Sequence, residues 1–211
     1  MKRKILIVIL ASLLLTIFSA PLFSQIKADT IVKTPIYTSY FNDSLHEPLY
    51  VVYTLYKGGG DCSRTGDVFV TNGLPNSAIS EDYAHNGYDE GHMADSKDFA
   101  FNCALQKMTF RFYNCVPQTP KLNRGCWKVL ETQVRKESQS DSLLIICGNI
   151  YGNKTIGKNK IGVPDFCYKI VYSLSTKKLL HCRLFPNDNS DSFKDVSVED
   201  ITKLINYKLE Y

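Results

Sequence analysis

The chain has 211 residues, 44% of them hydrophobic and 22% charged, with a formal net charge of +4. Lys2, Arg3 and Lys4 supply most of that excess, and residues 25–211 hold 22 basic against 21 acidic side chains, a net of +1. This balance excludes nucleic-acid binding through bulk charge, so any phosphate contact must rest on locally placed cations. The length suits one domain with a real core, and no internal repeat, low-complexity run or linker divides it.

Met1 to Ser24 reads as a signal peptide. Three basic residues precede an apolar stretch from Ile5 to Phe18, the length expected of a signal and short for a membrane span. Cleavage after Ser24 leaves Gln25 first and a single domain over 25–211, secreted or periplasmic. An uncleaved anchor is the alternative, and the lack of a cysteine at the junction argues against a lipoprotein.

Residues 26–48 read as irregular or edge-like. Leu49–Tyr56 is rich in β-branched and aromatic residues and predicts a strand. Gly58-Gly59-Gly60 breaks it, Arg64 follows, and Asp67–Thr71 suggests another short strand. A polar loop or short helix covers 76–86. Tyr88–Ala94 is expected to be a strand presenting His92, followed by a short helix within 98–107 and a strand over Thr109–Cys115. A helix then starts near Asn123 and ends near Ser138. Strands are expected over Ser142–Ile150, Asp165–Ser173 and Lys178–Phe185. Ser197 and Asp200 form a capping box for a last helix, with Ile201, Leu204, Ile205 and Leu209 facing inward. The pattern implies an α+β domain, a central mostly antiparallel sheet with flanking helices.

The helix after Leu122 carries polar residues where a core helix should be apolar. At about 100° per residue, Asn123, Trp127, Leu130, Glu131 and Val134 fall within one stripe. Trp127, Leu130 and Val134 turn that stripe to the core and aim Asn123 and Glu131 inward, where polar groups need partners. Singly, each has a bland reading: Asn123 as a helix cap, Glu131 as a wetted edge residue, His92 as a satisfied strand-end imidazole. Seven cysteines remain after signal cleavage. Their odd number leaves at least one unpaired, and their connectivity stays open. No Cys-x-x-Cys pair or Cys/His spacing suggests structural zinc, and no spacing supports a cysteine hydrolase.

Three blocks in order carry a family resemblance. They are Asp89-Glu90-Gly91-His92; Thr109-Phe110 leading to Asn114 and Pro117-Gln118; and Leu122-Asn123 leading to Trp127 and Leu130-Glu131. Ile145-Ile146-Cys147-Gly148 and Val163-Pro164-Asp165-Phe166-Cys167-Tyr168-Lys169 extend it. The segment from about Tyr50 onward resembles the DNA/RNA non-specific endonucleases of the ββα-metal (His-Me finger) type, which include endonuclease G.

The resemblance implies a divalent-metal-dependent hydrolase that cuts DNA and RNA with little sequence preference. It implies His92 as general base, Asn123 as the metal ligand, Glu131 holding the metal's waters, and Asn114 positioning that shell and the substrate. Arg64 is the best match for a phosphate-binding arginine, and Arg124 joins Lys97, Lys107, Arg111 and Lys121 as local cations for substrate. The implied cofactor is Mg²⁺, with Mn²⁺ or another divalent cation as substitute. The family also contains homodimers, which these residues leave open. One departure stands out: Glu90 occupies the place of the family's arginine. It is expected to pair with Arg64, Arg111 or Arg124; the alternative is a weak or inactive nucleic-acid-binding or partner-binding relative.

Overall fold

The computed structural model describes residues 27–205 and 207–211, so the predicted signal segment lies outside the described residues. The described residues hold nine strands and five α-helices: β1 (Thr30–Lys33), β2 (Thr38–Asn42), β3 (Glu47–Leu55), α1 (Ser80–Tyr83), β4 (Asp89–His92), α2 (Cys103–Met108), β5 (Cys115–Gln118), α3 (Pro120–Arg124), α4 (Cys126–Glu137), β6 (Leu143–Ile156), β7 (Ile161–Ser173), β8 (Leu179–Pro186), β9 (Lys194–Asp195) and α5 (Val198–Leu204). Seven strands form one sheet in the order β1-β2-β3-β6-β7-β8-β9, while β4 and β5 form a separate pair. Every pairing between these strands is antiparallel. The predicted α+β class and central antiparallel sheet are what the chain adopts.

Strand periodicity assigns the two faces of the sheet. On β7, Cys167 and Val171 join a cluster with Trp127, Leu130 and Val134 of α4. Tyr168 and Ile170 face the opposite way, under Ile201 of α5 and the following Ile205 and Tyr207. A third cluster, built on Phe69, Tyr83, Phe110 and Phe112, lies outside both faces.

Several expectations need correction. Residues 27–48 are edge-like and not irregular: β1 and β2 form the outer strands beyond β3. Asp67–Thr71 makes only one bridge, between Val70 and Arg111. The strand expected over Thr109–Cys115 starts at Cys115, after a 3-10 turn at Phe112–Asn114. The predicted helix from Asn123 to Ser138 is two helices. Gly125 separates them with φ −100° and ψ −122°. A Cβ there would collide with the Asp191 carboxylate and the Lys121 carbonyl, so the close approach requires glycine. α5 has its capping box at Ser197 and Asp200 but ends at Leu204, which is exposed.

Two covalent and polar ties steady the segment that carries the predicted motifs. Cys62 and Cys103 form a disulfide, tying the loop before Arg64 to the start of α2. Asn114 is fully buried, and its amide bonds only backbone. Its Oδ1 accepts from Ala94 N at 2.8 Å, and its Nδ2 donates to Ala94 O at 3.0 Å and Thr109 O at 2.9 Å. Removing it leaves the Ala94 N–H and carbonyl without these partners, while Thr109 O keeps the Arg111 N–H. Asn114→Ala is therefore expected to cost about 2–4 kcal/mol in urea unfolding; a loss under about 0.5 kcal/mol would show the clamp to be dispensable.

Candidate active site

The pair β4–β5 presents His92. Its register sets His92 opposite Cys115 and Gly91 opposite Val116. A Cβ at Gly91 would strike the Gln118 side chain, which is fully buried and has no room to yield. The Asn114 clamp holds the chain just beyond His92, at Ala94. The imidazole packs against Phe69 and Phe110, with ring centroids 4.6 and 4.7 Å away and Phe110 edge-on. Burial among these rings pulls the His92 pKa down to about 4; Asp95 opposes that shift and Arg64 adds to it. The ring is neutral near pH 7, and its Nε2 has no hydrogen-bond partner.

Asn123 comes from α3, where Thr119 caps the first turn and Pro120 opens it. Its Nδ2 donates to Asp89 Oδ2 at 2.9 Å. The Arg124 guanidinium forks onto the same carboxylate, Nε to Oδ2 at 2.8 Å and Nη2 to Oδ1 at 2.6 Å. Burial works against the Asp89 charge, but the hydrogen bonds from Arg124 and Asn123 hold its pKa below the usual value. With the Asn123 nitrogen engaged, the amide presents its oxygen as the free end. Asp89 thus orients a neutral amide oxygen, the kind of support that fixes metal ligands elsewhere.

Glu131 comes from the core-facing side of α4, 9% exposed. Around it lie two further buried carboxylates, Asp95 and Asp98, and two cations, Arg135 and Lys169. Arg135 bridges Asp95 and Asp98, the latter at 2.5 Å, and Tyr53 donates its hydroxyl to Asp98. Lys169 Nζ stands 3.5 Å from Glu131 Oε1. Burial, then Asp95, pushes the Glu131 carboxyl up to about 8, against the pull of Lys169. Burial opposes ionisation of Asp95 as well, yet Arg135 holds that group below its ordinary value.

One open cleft of about 830 Å³ gathers these elements, lined by His92, Asn123, Glu131, Arg64 and Arg124 among others. Five of the six predicted site residues therefore meet. Asn114 is not among the lining residues: it is fully buried with its amide bonded to backbone, and it holds the segment just beyond His92. Arg124, though its side chain is 71% exposed, is committed to Asp89. The expected pairing of Glu90 with an arginine is absent among the described residues. Arg64 reaches toward Ser96, and Arg111 bonds the Phe110 carbonyl. Glu90 lines the cleft alone, its pKa raised by burial and then by Asp89.

Lys97, read in the sequence as a local cation, also lines the cleft, as do Asp89, Lys128 and Arg135, which had no role there. Arg135 stands four residues after Glu131, the spacing that puts two side chains on one helix face.

The His92 shift has a consequence for stability. The unfolded imidazole titrates near 6.5 and the folded one near 4, so the unfolded state binds the proton first as the solution is acidified. Stability contributed by His92 is full above about pH 6.5 and is lost as pH falls toward 4. Urea midpoints at pH 7 and 4.5 should differ less for His92→Gln than for wild type. Equal differences would mean that the imidazole titrates normally.

The model of the DNA/RNA non-specific endonuclease family matches residues 18–210. A nuclease of Nostoc sp. is 38% identical over 98 residues, which is 44% of this chain and 35% of that protein. The mitochondrial nuclease EXOG of Homo sapiens is 28% identical over 152 residues, 61% of this chain and 41% of its own. Human mitochondrial endonuclease G is 29% identical over 107 residues, 44% and 36% respectively. The matched parts thus span little more than a third of each relative's length. A crystal structure of the EndoG/EndoGI complex aligns with TM-score 0.74 over 82% of both chains at 23% identity, a likeness of fold. On a family match that runs through nearly the whole sequence, the chain belongs to the DNA/RNA non-specific endonuclease family.

Proposed function

We propose that the chain is an exported, divalent-metal-dependent endonuclease that hydrolyses phosphodiester bonds of DNA and RNA with little sequence preference. One observation carries this reading: a neutral imidazole with an unpartnered Nε2 lines the same cleft as an amide oxygen oriented by Asp89. Family membership supports it.

A phosphodiester is anionic, and its hydrolysis needs an activated water and neutralised charge. His92 takes the proton from the attacking water. A base with its pKa near 4 is weak, but an arriving phosphate anion favours imidazolium and moves the pKa upward, toward the range where a base is effective at neutral pH. Arg64, Lys97 and Lys128 line the cleft as cations for the substrate backbone. Phe69 and Phe110 hold the imidazole and shield one side of it from water.

The donor set suits a hard cation. It consists of oxygens, from the Asn123 amide and the Glu131 carboxylate, and no three His, Cys, Asp or Glu side chains among the described residues are grouped to hold a metal. Such a site fits Mg²⁺, which keeps several waters and needs few protein ligands. Asn123 would hold the ion directly and Glu131 its waters. When bound, the cation would supply charge neutralisation at the phosphate and the leaving oxygen.

A second reading, nucleic-acid binding without turnover, draws on Glu90. An unpaired carboxylate in the cleft repels a phosphodiester. One assay separates the two. Plasmid DNA and an RNA are incubated with the protein starting at Gln25, with Mg²⁺ or with EDTA. Cleavage of both should occur and stop in EDTA. His92→Ala should lower the rate about 10²–10⁴-fold, and Glu90→Arg should leave it unchanged or raise it. Folded protein that retains nucleic acid in steeply salt-dependent fashion but never cuts it would favour the second reading.

Export rests on the basic start and the apolar run of residues 5–18. Protein recovered outside the cytoplasm should begin at Gln25 on N-terminal sequencing. A retained Met1 would identify the segment as an anchor instead.

A further inference from the structure

The strand β7 holds a residue that breaks its own pattern. Cys167 and Val171 face the core under α4, and strand periodicity puts position 169 between them on that same face. The residue there is a lysine, 1% exposed. A buried ammonium costs several kcal/mol unless it is paired, so an aliphatic residue would be the simpler choice for packing.

Its surroundings explain the choice. Nζ lies 4.2 Å from the centroid of the Trp127 ring and 3.5 Å from Glu131 Oε1. Trp127 and Glu131 are four residues apart on α4, one helical turn on the same face. They clamp the ammonium between a π face, which attracts cations, and a carboxylate. The other cation of the cluster, Arg135, is engaged by Asp95 and Asp98. Lys169 is thus the one charge partner that Glu131 has among the described residues, and Glu131 Oε2 is left without one. Burial works against the Lys169 charge, but Cys147, Glu131, Asp98 and Asp95 together keep its pKa above the ordinary value, so the counter-ion is permanent.

We propose that Lys169 is a positioning residue of the active site: clamped by Trp127, it fixes the Glu131 carboxyl group at the cleft wall, where its oxygens can accept from the waters of a hydrated divalent cation. This builds on the metal-dependent reading above. Without Lys169, the carboxyl group of Glu131 would have no partner among the described residues to fix its orientation. In chemical terms, Trp127, Glu131 and Lys169 act as one unit, although Lys169 never touches substrate.

The test is Mn²⁺ binding without nucleic acid, followed through the EPR signal of the free ion. Emission from Trp127, the only tryptophan in the chain, checks that the core is intact. Lys169→Met should weaken binding about 10–100-fold, the usual loss when a group supporting a metal site is removed. Lys169→Arg, which keeps the charge, should bind within about threefold of wild type. If Lys169→Met does not fold, Lys169→Met/Glu131→Gln removes both charges and leaves no unpaired ion of this pair. It should bind Mn²⁺ as Glu131→Gln does, because Lys169 acts through Glu131. Folded Lys169→Met with wild-type affinity would overturn the role of Lys169, as would a further tenfold loss in the double variant relative to Glu131→Gln. Wild-type protein that binds no Mn²⁺ would instead overturn the metal-dependent reading on which this role stands.

Discussion

A carboxylate on the core-facing side of a helix is tolerable only where a cation meets it. That constraint shapes the centre of this molecule. Glu131 faces the sheet from α4, and β7 answers with Lys169. One turn later on the same helix, Arg135 meets Asp95 and Asp98 from the segment beyond His92. These pairs couple three separate parts of the chain, α4, the main sheet and the stretch after β4, at a single place. The floor of the cleft is therefore a set of charges that hold one another, resting on an apolar layer of Trp127, Leu130 and Val134.

His92 is held by different physics. Its ring is gripped by two phenyl groups, and its backbone is fixed through Ala94 by the amide of Asn114. Aromatic burial keeps the imidazole neutral, whereas across the cleft Arg135 holds Asp95 below its ordinary value against burial. Asp89 stands between the two regimes. It orients Asn123 while occupying Arg124, so the residue adjoining Glu90 is neutralised and Glu90 itself is left without a cation. The site thus carries more negative charge than the family's arginine-bearing pattern implies, and the remaining cleft cations, Arg64, Lys97 and Lys128, must offset it for a phosphate to enter.

The share of this protein legible in the sequence follows from the range of the interactions involved. Periodicity found β3, β6, β7, β8 and the capping box of α5, because each depends on residues within a few positions of one another. The order of the motif blocks led to His92, Asn123 and Glu131. Beyond that range the reading failed in instructive ways. The helical wheel treated Asn123 and Glu131 as one stripe, but the break at Gly125 depends on Asp191, some sixty residues away, coming up against it. The sequence pointed to Asn114 as positioning the metal's waters and the substrate; its backbone partners, Ala94 and Thr109, become visible only once the chain has folded.

By itself, then, the sequence determined which elements form, which faces are apolar and which residue types carry the chemistry, since local sterics and hydrophobic spacing decide these. Only the tertiary structure decided which charges meet: Arg124 with Asp89 rather than Glu90, Cys62 with Cys103 among seven cysteines, and Lys169 with Glu131 across the core. Pairings of this kind join residues tens of positions apart, and electrostatics sets no sequence spacing. They exist only where packing has already brought the partners within a few ångströms and removed the water between them.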